Sequence, residues 1–161
     1  MAPAGAVGKT PRVAGSPKLL VSTDSLSIVR MWTPPGNQPP LHVHHDEDEC
    51  FFVLSGSVTL WVGDRDPVHI GPGEAARAPK GVPHTYRVGA EPGEFLVTTD
   101  GRFAAFVRAA GTPAARQELP VLDGPPDVEH LARVAEEHAI TLLGPPGMLP
   151  GELVSAAAAA A

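Results

Sequence analysis

Apolar residues recur in short runs along this chain, broken by glycine, proline and acidic turns. Alternation of apolar and polar positions over four to eight residues predicts half-buried strands. The runs fall at Lys18–Thr23, Leu26–Trp32, Leu41–His44, Glu49–Leu54 and Val58–Val62. They continue at Pro67–Ile70, Ala75–Ala78, His84–Val88 and Glu94–Thr99, and Arg102–Arg108 is expected to add one more. Turn residues punctuate them at Asp24–Ser25, Ser55–Gly56, Gly63–Asp66, Gly71–Gly73 and Pro79–Pro83. Thr33–Pro40 is proline-rich, a poor helix and a poor central strand. Short strands at this regular spacing predict an all-β sandwich or barrel.

The C-terminal part differs in character. Asp127 is placed to cap a helix running to about Ala139, with Val128, Leu131, Val134, Ala135 and His138 on its less polar face. Gly144-Pro145-Pro146-Gly147 then stops the segment. The expected organisation is a disordered leader over 1–17 and a β-barrel over 18–110. An extension over 111–150 follows, with one helix packing on the barrel or on a partner, and then a disordered tail over 151–161.

At 161 residues the chain can bury one real core. A formal net charge of -6 and the lack of a basic run argue against a nucleic-acid partner. No apolar stretch approaches the roughly 20 residues that span a bilayer, so no membrane partner is expected. The Ala/Pro/Gly-rich N-terminus lacks the apolar region of a secretory signal. A single cysteine, Cys50, excludes an intrachain disulfide and fits a cytoplasmic protein.

The chemistry lies in two spaced motifs. The first is Gly36-x5-His42-x-His44-x4-Glu49-x6-Gly56; the second is Gly73-x5-Pro79-x-Gly81-x2-His84. Side chains alternate faces along a strand, so His42 and His44 point the same way. On the next strand Glu49, Phe51 and Val53 share one face and Cys50 the other, which takes the thiol out of the ligand set. A lone interior histidine is usually a hydrogen-bonded core residue. Three histidines and a carboxylate at coordinated spacings point instead to a metal, because burying Glu49 without a cation is costly. His42, His44, Glu49 and His84 are therefore the expected ligands. Three nitrogens and one oxygen suit a divalent transition ion: Fe, Mn, Ni, Co or Zn. Tyr86 shares the His84 face and is expected to line the cavity, as a wall or a hydrogen-bond donor. Further candidate wall residues are Met31, Trp32, Phe51, Val53 and Trp61. His45, His69, His130 and His138 are assigned to surface or packing, and Asp46, Glu47 and Asp48 to a solvated acidic turn.

These two motifs resemble those of the cupin superfamily, with Val88 standing where the second motif usually ends in Asn. The resemblance implies a double-stranded β-helix, a jelly-roll barrel with the metal in its mouth, a short C-terminal helix and a homodimer. The segments PPGNQPPLHVHHDEDECFFVLSGSVTLWVGD and APKGVPHTYRV, with the tail DVEHLARVAEEHAITLLGPP, are similar to quercetin 2,3-dioxygenase-like cupins. That similarity implies a metal-dependent dioxygenase. Its small-molecule substrate, enolic or phenolic and flavonol-like or polyketide-like, would bind as an anion, with Glu49 and Tyr86 as catalytic groups. Two alternatives remain open: a non-oxidative cyclase or isomerase using the metal as Lewis acid, and a non-catalytic small-molecule binder.

Overall fold

The computed structural model of the protein describes residues 16–111 and 127–153. Residues 1–15 of the expected leader (1–17) and 154–161 of the expected tail (151–161) lie outside the described residues, whereas Ser16 and Pro17 belong to the first strand and residues 151–153 are helical. Among the described residues the elements run in the order β1 (Ser16–Ser22), β2 (Ser27–Thr33), β3 (Pro40–His44), β4 (Glu49–Ser55), β5 (Val58–Val62), β6 (Val68–Ile70), β7 (Ala75–Ala78), β8 (His84–Val88), β9 (Gly93–Thr99), α1 (Arg102–Ala110), α2 (Val128–Glu137) and β10 (Ile140–Pro146). They form two five-stranded sheets, ordered β1-β2-β9-β4-β7 and β10-β3-β8-β5-β6, with every pairing antiparallel. Two facing antiparallel sheets with crossovers between them make a jelly roll.

The period-two pattern sets which side chains meet between the sheets. In β2, β5 and β9 every second residue is buried. Phe51 and Val53 of β4 are fully buried while Phe52 and Leu54 on its other face are exposed. Val29, Leu60, Val88 and Phe95 complete the centre of the core. Phe51, Tyr86 and Phe95 pack edge to face or tilted, with ring centroids 5.3–6.2 Å apart. Gly56 ends β4 at φ +73°, and a Cβ there would lie 2.5 Å from the Pro92 carbonyl oxygen. Both the left-handed backbone and the close approach require glycine.

Two elements differ from expectation. Residues 102–110 form helix α1 and not a strand. Its buried residues, Phe103, Ala104, Val107 and Ala110, follow helical spacing. Four alanines add helix propensity. After α2, which Asp127 caps by accepting from the His130 N–H, the chain does not simply stop at its Gly-Pro-Pro. It forms β10, paired with β3 through Ile140↔His44 and Leu142↔His42, with register shifts towards Pro146. β10 is an edge strand, where prolines lack no needed ladder donor. On α2, Leu131, Val134 and Ala135 are buried but Val128 is exposed. Among the described residues no helix is long and apolar enough to cross a membrane.

Candidate metal centre

The four expected ligands come from three strands of two sheets. His42 and His44 lie on β3, and His84 on β8 sits directly opposite His42 in the pairing. Glu49 opens β4 on the facing sheet. The Gly81 N–H donates to the His44 carbonyl at 2.7 Å, tying the loop before His84 to the end of β3. Ring centroids of the three imidazoles lie 4.4–5.4 Å apart. One donor atom from each of His42, His44, Glu49 and His84 lies within 4.8 Å of every other. Donors about 2.1 Å from one ion are at most about 4.2 Å apart, so small side-chain movements close the set.

The orientation of the rings fits a cation. Nδ1 of His42 bonds the Pro40 carbonyl at 2.8 Å, and Nδ1 of His84 bonds the Val82 carbonyl at 2.9 Å. A carbonyl oxygen only accepts, so both Nδ1 atoms carry the proton and both Nε2 atoms turn to the centre. Nδ1 of His44 bonds Oε1 of Glu47 at 3.0 Å. The opposite nitrogens turn to Glu49, whose Oε2 lies 3.0 Å from Nε2 of His84 and 3.7 Å from Nε2 of His44. Outer hydrogen bonds that fix the histidine tautomer are the usual companions of metal ligation. The donor set, three imidazoles and a carboxylate, suits a divalent transition ion.

Burial and neighbouring charge shift His42, Glu49 and His44. Burial, together with like charge on His84, lowers His42 to about 3. Burial alone would push Glu49 up, but His44 and His84 overcome it and hold the carboxylate at about 2. Burial works against the charged form of His44 too, yet Glu49 and Glu47 raise it. Burial and then the Glu49 charge push the Tyr86 hydroxyl up, so it stays protonated.

A cavity of about 80 Å³ opens beside these groups. Tyr86 and Met31 line it, as expected, and so do Val97 of β9, Phe103 and Phe106 of α1, Leu131 of α2, and Ile140 and Leu142 of β10. Phe51 and Val53 instead fill the core, and the candidate wall residues Trp32 and Trp61 do not line the cavity. Trp61 stacks outside under the Arg87 guanidinium. Cys50 is exposed on the face of β4 opposite Glu49. His45 is exposed and bonds Thr141, and His69 bonds Thr59, both apart from the centre. One expectation fails: Glu47 is not part of a solvated turn but is 5% exposed and bonded to His44. Burial raises its carboxyl, opposed by His44, and Asp100 adds to the rise.

Residues 29–99 match the cupin domain family. A quercetin 2,3-dioxygenase of Bacillus subtilis (strain 168) is 30% identical over 87 residues, 53% of this chain and 26% of that protein. The endoribonuclease YbeY of Myxococcus xanthus (strain DK1622) is 33% identical over 117 residues, 73% of this chain and 34% of that protein. The chain thus spans about a quarter to a third of the length of these curated relatives. An RmlC-like cupin from Shewanella frigidimarina NCIMB 400 superposes with a TM-score of 0.53 at 17% identity, over 62% of this chain and 85% of that one. The motifs, the jelly-roll topology and the family match agree: residues 29–99 form a cupin domain.

Proposed function

We propose that this cupin is a metal-dependent dioxygenase acting on a compact enolic or phenolic substrate bound as an anion. The observation that carries the reading is the convergence of His42, His44, Glu49 and His84 at one side of an apolar cavity. These four residues would hold the ion. A divalent transition ion there supplies Lewis acidity towards a substrate oxygen and redox chemistry towards dioxygen. Glu49, ionised, accepts a hydrogen bond from the substrate hydroxyl and orients it. Tyr86 presents a protonated hydroxyl as donor to a second substrate oxygen. Met31, Val97, Phe103 and Leu131 exclude water from the reacting groups. One water needs about 10–15 Å³ by the same measure. A cavity of about 80 Å³ therefore suits a single ring or a short chain, and a three-ring flavonol requires the α1–α2 roof to open. The test is oxygen uptake with small enols and phenols on protein loaded separately with Fe, Mn, Ni and Co. Absence of consumption with every metal and substrate refutes the proposal.

A second reading is non-oxidative proton chemistry, a cyclase or isomerase. It is favoured by Tyr86 and Glu49 lining the same cavity, a hydroxyl and a carboxyl beside the proposed ion that relay protons without an oxidant. Turnover that persists under anaerobic conditions, with zinc as the ion bound on purification, selects this reading over the first.

A further inference from the structure

The three histidines are not held alike. His42 and His84 are fixed through Nδ1 by backbone carbonyls of their own strand or loop. His44 stands at the end of β3, and its Nδ1 is met by a side chain, Oε1 of Glu47 at 3.0 Å. Glu47 has two carboxyl oxygens and is 5% exposed. A carboxyl buried this far is costly unless its oxygens are served. Its second oxygen, Oε2, is buried with no hydrogen-bond partner among the described residues.

Asp100 is itself anchored. It accepts from the Arg102 backbone N–H at 2.9 Å and from the Arg102 guanidinium at 2.6 Å. The same guanidinium donates to a carboxylate oxygen of Asp46 at 2.8 Å and to its backbone carbonyl at 3.1 Å. Arg102 therefore clamps the β3–β4 turn, which carries Glu47, onto the turn between β9 and α1. Arg102 thereby holds from the surface the turn from which Glu47 reaches the His44 ring.

We propose that Glu47 is a positioning residue for the metal centre, fixing the tautomer and ring orientation of His44 while Arg102, anchored on Asp100, clamps the turn that carries it. The inference rests on the metal-ligation reading above. It implies that one of four ligands depends on a replaceable side chain two positions from Glu49, on the turn and not on the strand. Loss of such an outer partner typically lowers metal affinity 10–100-fold.

The experiment is a Co2+ titration of metal-stripped protein, read as a dissociation constant and as the visible ligand-field spectrum, on wild type, Glu47→Gln and Glu47→Leu. Gln keeps the acceptor towards Nδ1–H; Leu keeps volume and removes the acceptor. We expect Leu to weaken Co2+ binding about 10–100-fold with an altered spectrum, and Gln to restore the parent spectrum with less than about ten-fold loss. Leu indistinguishable from wild type overturns the proposal, as does Gln behaving like Leu. Urea midpoints and circular dichroism show whether each variant is folded. Should the Leu variant not fold, imidazole NMR of the Zn2+-loaded wild type decides. A protected proton on Nδ1 of His44 supports the inference, and its absence overturns it. A wild type that binds no Co2+ overturns the metal reading itself, an outcome distinct from equal binding by wild type and variant.

Discussion

Acidification of the metal-free protein tests the ligand cluster directly. Burial first, and like charge on His84 second, hold the His42 imidazole at about 3 against an ordinary 6.5. Below pH 6.5 the unfolded chain takes up a proton at this residue and the folded chain does not, so stability falls as pH falls through that interval. The full interval sets an upper bound of about 5 kcal/mol. The His42 ring is partly open to the cavity, so water lowers the figure, and we expect a loss of about 2 kcal/mol between pH 7 and 4.5. Glu49 adds a second, lower window. Burial opposes its ionisation, yet the neighbouring histidines hold it at about 2, so its contribution is present above pH 4.5 and is lost as pH drops from 4.5 to 2. His44 runs the other way, because its raised pKa adds stability that is fully present below 6.5. The assay is urea denaturation of chelator-treated protein at half-unit pH steps, beside His42→Leu. Surface groups titrate equally in both proteins, so the difference isolates His42. The variant should lose less stability than wild type between pH 6.5 and 4.5. Parallel pH profiles would refute the assignment of a neutral, acid-resistant imidazole to this position.

Three further outcomes are expected. His84→Ala should remove most bound metal, measured by elemental analysis after dialysis against equimolar metal, while far-UV circular dichroism stays that of a β protein, because strand pairing and the Phe51–Phe95 core do not depend on the ion; loss of the β spectrum contradicts this. Cys50→Ser should leave the Co2+ dissociation constant within experimental error, since the thiol lies on the outer face; a weaker constant or a lost charge-transfer band places sulfur in the coordination sphere. Ala139→Gly should raise the urea midpoint by about 0.5–1 kcal/mol of stability, because Ala139 adopts φ +57° between α2 and β10; an unchanged or lower midpoint shows that lost chain entropy outweighs the relieved backbone.

The barrel and the grouping of the four expected ligands were legible because both follow from local rules. Alternation placed His42 and His44 on one face and separated Glu49 from Cys50, and these relations need only the strand period. What was not legible depends on which segments meet. Phe103, Phe106 and Val107 have strand-like composition, and only the spacing of Phe103, Ala104, Val107 and Ala110 marks a helix. Gly144-Pro145-Pro146 carries a stop signal, and its role as strand is allowed only by a place at the sheet edge. Glu47 sits in a run of charges that suits solvent. It is drawn inward because Asp100 and Arg102, over fifty positions away, close on that turn.

The division between what was and was not legible follows the chemistry. All four expected ligands and Tyr86 fall within residues 29–99, the part that matches the cupin domain. Phe103, Phe106, Leu131, Ile140 and Leu142, which roof the cavity, all lie beyond it. The family match therefore speaks to what the centre can hold, while the space left above that centre is set by α1, α2 and β10. Ligand number and charge are shared by cupins with different reactions, so they cannot rank substrates. The roof can, through size and polarity. Leu131→Ala, which opens that roof without touching a ligand, should shift preference towards bulkier substrates while leaving metal affinity unchanged. A variant that lost metal and substrate range together would show that roof and ligand set are one unit, and that substrate choice is made at the ion.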